Sequence, residues 1–221
     1  MSLNKRNFQR FSWEEYQSIL DKLYSDISKY LRENNLKINI VVPIMRGGVI
    51  PGTVLAYKLH VLTILPVHYH YDFRESGKMK LRKFISIGRY KDLIPKNPTI
   101  LIVEGNQCFG NTANAVLNDI KRNIKNVHII YAADLVDYGN RNAVKADAVF
   151  YGTYTNECGT LTKEKARSKG IFPSAKLLPW EVEKEEKETI EQRQFKYSDM
   201  KHYFAKSKVA KEINLKELLR S

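Results

Sequence analysis

The segment TILIVEGNQCFGNTANAVLNDI, residues 99–120, decides how this chain is read. It begins with a short apolar run rich in β-branched residues, the pattern of a buried strand. Ala113, Val116, Leu117 and Ile120 then recur at three- and four-residue spacings, which predicts a helix over 111–123 with those side chains facing inward. Between strand and helix lies Gly110. A glycine at a helix start lets backbone N–H groups and the positive end of the helix dipole meet an anion, and Thr112 can add a hydroxyl. The stretch therefore has the outline of a phosphate loop. Its residues Gly105, Asn106, Gln107, Cys108 and Phe109 are uncharged, where phosphate chemistry ordinarily uses carboxylates.

A second stretch upstream has the same outline. INIVVPI, residues 38–44, reads as a buried strand broken by Pro43, Gly47 and Gly48, and a short helix is expected over 51–59, with Pro51 at its start. Arg46, Gly47 and Gly48 offer a forked cation and an unobstructed backbone to a diphosphate, although a plain turn with a surface arginine fits the same residues. Two such loops, about 60 residues apart, suggest a ligand with two phosphate groups at different ends.

The remaining segments fill in one α/β domain. FSWEEYQSILDKLYSDISKYLREN opens with a capping box, Ser12 to Glu15, and continues as an amphipathic helix. VLTILPV and NVHIIYAADLV read as further strands. Residues 68–98 show mixed charge and no sustained period, as expected of a functional lid. Strands alternating with helices predict a largely parallel sheet, with ligands at the carboxyl ends of its strands. From residue 182 to 221 the chain becomes rich in Glu and Lys, which predicts a charged helical extension that either caps the domain or binds a partner.

A length of 221 residues suits one substantial core with appendages. The first 30 residues carry no apolar run, so an intracellular, cytoplasmic protein without a membrane span is expected, with Cys108 and Cys158 as free thiols. Neither cysteine has metal-ligand spacing to the histidines. A net charge of +13 raises nucleic acid as a partner, but the charges are scattered, and an anionic substrate explains part of the excess equally well.

Taken together, FSWEEY, IVVPIMRGGVIPGTVLAYKL, the charged hood, ILIVEGNQCFGNTANAV and the late LLPWE resemble the type I phosphoribosyltransferases, nearest the purine branch that uses hypoxanthine, guanine or xanthine. The resemblance covers about residues 11–181 and implies a Rossmann-like domain over 1–181. It also implies Mg²⁺-dependent transfer of phosphoribosyl from phosphoribosyl diphosphate to a nitrogen base, usually in a homodimer. By position, Arg46, Gly47 and Gly48 would receive the diphosphate, often through a non-proline cis peptide. Residues 104–112, with Gly105, Asn106, Gln107, Phe109, Gly110, Asn111 and Thr112, would hold the 5-phosphate. Glu104 would serve ribose and metal, and residues 68–89 would close over the reaction.

The match departs at the catalytic positions. The family's loop begins with two adjacent acids, and here they are Glu104 and Gly105. The aspartate placed near the purine ring is Cys108, whose thiol has an ordinary pKa of about 8.5 and whose thiolate accepts hydrogen bonds poorly. In the base pocket, Asp137 and Tyr138 lie where a lysine is expected, Ala175 replaces a stacking aromatic five residues before Trp180, and an insertion precedes it. Asp137 suits an amino or ring N–H group better than an oxo group. Two main readings follow: a transferase acting on a nitrogen base, purine-type or related, with release of diphosphate, or a scaffold that binds a nucleoside monophosphate or related 5-phosphate as a sensor. A basic nucleic-acid module is the third.

Overall fold

The computed structural model describes residues 9–72, 80–171 and 176–184. The expected C-terminal helices, Ala175 and the tip of the hood lie outside the described residues. In chain order, strand β1 (Gln9–Arg10) precedes helix α1 (Trp13–Glu33), strand β2 (Ile40–Pro43) and helix α2 (Val49–Lys58). An antiparallel pair, β3 (His68–Asp72) and β4 (Lys80–Ile85), is followed by a 3₁₀ turn at Ile87–Leu93. Strand β5 (Thr99–Gln107), helix α3 (Asn111–Asn123), β6 (His128–Asp137), β7 (Ala148–Thr155), α4 (Lys163–Ser168) and β8 (Lys176–Leu177) complete it.

The central sheet is parallel and runs β2-β5-β6-β7, while β8 joins β1 in a separate pair. Residues 61–67 extend the sheet beyond β2 by single bridges, Val41 to Ile64 and Ile44 to Val67. The expected strand there is an irregular edge, because Pro66 lacks the N–H that a full ladder needs. Both faces of the sheet are covered. Helices α1 and α2 bury Leu23, Ile27 and Leu55 against Val41, Leu101 and Ile130. On the other face α3 buries Val116 and Ile120 against Ile102, Ile129 and Tyr131. Burial on two sides explains why these strands read as continuous apolar runs.

The expected capping box is present: Glu15 N–H donates to Ser12 Oγ at 3.1 Å, and Ser12 N–H donates to Glu15 Oε2 at 2.8 Å. The α3 boundaries match the periodicity in the sequence. Three features differ from expectation. Strand β7 and helix α4 lie in segments from which no element is expected. The hood is an antiparallel pair rooted in the core, with the Tyr69 hydroxyl donating to Asp119 Oδ2 and Lys83 Nζ to Asp119 Oδ1 at 2.6 Å. And β5 runs on to Gln107, so half of the expected loop is strand, paired through Asn106 to Leu135 and Gln107 to Val136.

Asp134 is fully buried on β6, with Tyr16 of α1 donating to Oδ2 at 2.8 Å and Oδ1 without a partner. Burial drives its carboxyl far above the usual carboxylate range; the Tyr16 hydrogen bond opposes this and the charge of Glu181 adds to it. Folded Asp134 therefore keeps its proton at pH values where the unfolded chain has lost it. The unfolded state then binds fewer protons, and stability falls as pH rises above about 4. Asp134→Asn, neutral in both states, should reduce the loss of stability between pH 5 and pH 8 by about 1.4 kcal/mol or more, the equivalent of one pKa unit. Urea unfolding of both proteins at the two pH values measures it.

Candidate active site

Parallel pairing of β2 with β5 brings Pro43 opposite Val103; β2 ends there, β5 runs on to Gln107, and each strand leads into a helix. The first loop is tied to the second strand, with Ile44 N–H donating to Val103 O at 2.8 Å. Within it the Met45–Arg46 peptide is cis, as the resemblance implies, Arg46 is exposed, and Gly48 precedes α2. In the second loop Gly110 has a φ of 71°, a left-handed conformation that favours glycine. A Cβ at Gly110 would also press at 3.1 Å on Ala143 and Val144. The Asn114 N–H donates to Gly110 O at 2.9 Å, so the amides ahead of it, including those of Asn111 and Thr112, form the start of α3.

The first loop meets strand β5 at Gly47 and Gly105. A Cβ on Gly105 would lie 2.8 Å from Gly47 O and 2.9 Å from its carbonyl carbon. In this packing a side chain at position 105 would require the Gly47 backbone to shift. Glu104 stands beside this contact, half-buried, and Tyr131 of β6 donates to its Oε2 at 2.6 Å. Burial pushes the Glu104 carboxyl up to about 7, against the lowering effect of the Tyr131 hydrogen bond. Tyr131 is one partner that sequence reasoning missed; it looks like any core aromatic until the strands are paired.

Several expected site residues are engaged elsewhere. Gln107 is buried, with its amide donating to Asn140 O at 2.8 Å. Asn106 donates to Glu157 Oε2 at 2.6 Å. Cys108 and Cys158 form a disulfide, so neither is the expected free thiol and Cys108 has no thiolate with which to take up a proton. Their Cα atoms are 6.2 Å apart across 50 residues of sequence, a proximity that no spacing rule reveals. Asp137 does not face a base: its buried carboxylate accepts from Thr160 Oγ1 at 2.6 Å, Cys158 N at 2.9 Å, Gly139 N at 3.2 Å and Asn140 Nδ2 at 3.3 Å.

The other two base candidates are also committed. The Tyr138 ring carries Arg141 at 4.2 Å and Lys169 at 5.5 Å, with Tyr154 edge-on at 5.4 Å. Trp180 packs with Tyr16 at 4.8 Å and Trp13 at 6.0 Å, on the α1 face of the sheet. Tyr131, which holds Glu104, belongs to the opposite face. Among the described residues no group of three or more His, Cys, Asp and Glu could hold a metal ion, and no helix is long and apolar enough to cross a membrane.

Comparison with solved structures identifies this architecture. A purine phosphoribosyltransferase from Pyrococcus horikoshii Ot3 superimposes with a TM-score of 0.57 at 17% identity, over 80% of this chain and 95% of that one. The fold is that of the type I phosphoribosyltransferases. The xanthine-guanine-hypoxanthine phosphoribosyltransferase of Helicobacter pylori matches this fold at TM-score 0.54 and 16% identity, over 83% of this chain and 99% of its own. A hypothetical protein from Neisseria gonorrhoeae with bound ppGpp gives 0.56 and 15%, over 88% and 99%. No protein-family model and no curated protein matches the sequence, so the phosphoribosyltransferase fold is visible in three dimensions where the sequence comparisons find nothing.

The contact between the first loop and β5 is testable without substrate. Gly105→Ala should destabilise the protein by about 1–3 kcal/mol, the usual cost of overpacking, because Gly47 can only yield by moving its loop. Thermal unfolding of variant and wild type measures the difference.

Proposed function

We propose that the protein transfers phosphoribosyl from phosphoribosyl diphosphate to a nitrogen base. The observation that carries this reading is the packing of the first glycine loop against the end of β5, beside the single carboxylate of Glu104, with a helix start after each strand. Backbone amides at Gly110, Asn111 and Thr112 receive the 5-phosphate, and the loop at Arg46, Gly47 and Gly48 receives the diphosphate. Glu104 accepts hydrogen bonds from the ribose hydroxyls. A ring nitrogen of the base then bonds to C1′ as the bond from C1′ to the diphosphate oxygen breaks; the diphosphate carries away the electron pair and takes up the proton of that nitrogen where it bears one.

Magnesium enters this scheme with the diphosphate. One carboxylate fits an ion whose remaining ligands are waters and phosphate oxygens, and Glu104 is the residue that would hold it. When bound, the ion offsets the charge of the leaving diphosphate. The hood pair β3 and β4, anchored to α3 through Tyr69, Lys83 and Asp119, would exclude water from a cation-like ribosyl group.

The test is diphosphate release from phosphoribosyl diphosphate and Mg²⁺ in the presence of purine, pyrimidine and pyridine bases. Release with at least one base is expected, and Glu104→Gln should abolish it. Release unchanged in that variant would overturn the role of the carboxylate. Glu104 acts as a carboxylate, and its pKa lies near 7, so kcat/KM should rise as pH rises through about 7. Tyr131→Phe removes the hydrogen bond that favours the charged form, so the rise should move to higher pH.

A second reading is favoured by the engagement of Asp137 and Cys108 inside the protein. In it the scaffold keeps the 5-phosphate cradle and binds a nucleotide without turnover. The neighbour from Neisseria gonorrhoeae, described with bound ppGpp, supports testing that class of ligand. Calorimetric binding of a nucleoside monophosphate or ppGpp, with no diphosphate release from any base, would decide for this reading.

A further inference from the structure

Residues 156–162 lie in the insertion that precedes the last part of the domain. Their own structure is compact: Asn156 Oδ1 accepts from Leu161 N at 2.8 Å, and Asn156 Nδ2 donates to Leu161 O at 2.8 Å. The loop reaches the ends of β5 and β6 at four points. Glu157 takes the Asn106 amide, Cys158 N and Thr160 Oγ1 both donate to Asp137, and Cys158 is bonded to Cys108. Asn106, Cys108 and Asp137 are three of the positions from which the sequence predicts substrate contact. All three are instead occupied by one loop.

We propose that residues 156–162 form a cover over the 5-phosphate loop, latched by the Cys108–Cys158 disulfide and opened by a dithiol. The covalent bond is the one contact that fixes both sides permanently; the others are hydrogen bonds, one from the half-buried Asn106 to Glu157 and two to the buried Asp137 carboxylate, whose remaining donors, Gly139 N and Asn140 Nδ2, lie outside the loop. The latch bears directly on anion binding in two ways. It fixes the turn at Cys108, two residues ahead of Gly110 at the start of α3. It also keeps the Glu157 carboxylate on Asn106, beside the place where a phosphate would bring like charge. Both cysteines are half-buried, so a reagent can approach the bond.

The chemistry balances with the dithiol as reductant. One of its thiolates attacks a cysteine sulfur, the protein S–S bond breaks, and the departing cysteine thiolate takes a proton. The second thiol of the reagent then displaces the other cysteine and closes a disulfide in the reagent. Two electrons and two protons pass from dithiol to protein. The unlatched loop leaves Asn106 and Asp137, and the start of α3 opens.

The inference rests on the phosphoribosyl reading only for its ligand. The experiment uses the full chain, oxidised or treated with dithiothreitol, with the state of the disulfide checked by intact mass. Hydrogen exchange at residues 156–162 and calorimetric titration with ribose 5-phosphate and with phosphoribosyl diphosphate are then measured. Reduction should speed exchange in the loop and tighten binding about tenfold or more, and Cys158→Ser should bind as the reduced protein does under both conditions. The latch is overturned by a folded protein that forms no disulfide, by affinities equal within about twofold in the two states, or by Cys158→Ser binding like the oxidised protein. If reduction frees the loop while neither ligand binds in either state, the phosphoribosyl reading fails and the latch stands.

Discussion

The backbone contact between Gly47 and Gly105 is the constraint on which the site depends. Strands β2 and β5 pair in parallel with Pro43 opposite Val103, so the loop that leaves β2 runs alongside the last residues of β5. The contact leaves no room for a Cβ at Gly105. The loop after β2 and the end of β5 therefore converge on one place, and glycine at both positions permits this close packing.

A lone carboxylate in a site that shields it from water behaves differently from a pair. Burial holds Glu104 near 7, and Tyr131 supplies the hydrogen bond that keeps the charged form within reach. Asp134 is an opposite case: one hydrogen bond from Tyr16 does not offset full burial, and the carboxyl is driven well above the usual carboxylate range. Asp137 is also pushed up by burial, opposed by hydrogen bonds from Thr160, Cys158 and Gly139. Three acids on neighbouring strands thus differ because their burial and hydrogen-bond partners differ.

Much of the fold was legible because its signals are local. Residues 99–123 carry strand, glycine and helical period in sequence, and the capping box at Ser12 needs only four residues to be seen. Strand β7 escaped because AVFYGTYT mixes aromatic and polar residues, and its pairing with β6 is what makes it a strand. The hood pair escaped for the same reason: HYHYD and KLRKFI are short and charged, and each supplies the ladder of the other. In the candidate site, the need for glycine was legible at Gly48, packed against the backbone of Val103 and Ile44, and at Gly110, with its left-handed φ. The partners Tyr131, Glu157 and Thr160 were not, since each comes from a different segment.

The sequence by itself determined the two strand-loop-helix units and their glycines, because strand and helix periods and backbone freedom are properties of neighbouring residues. Only the tertiary structure decided which side chains face the site. It turned Asp137 inward, set Trp180 on the opposite face from Tyr131, and joined Cys108 to Cys158. Those outcomes depend on strand register and on loops distant in sequence, and a buried polar group takes whichever partner the fold brings within hydrogen-bonding distance.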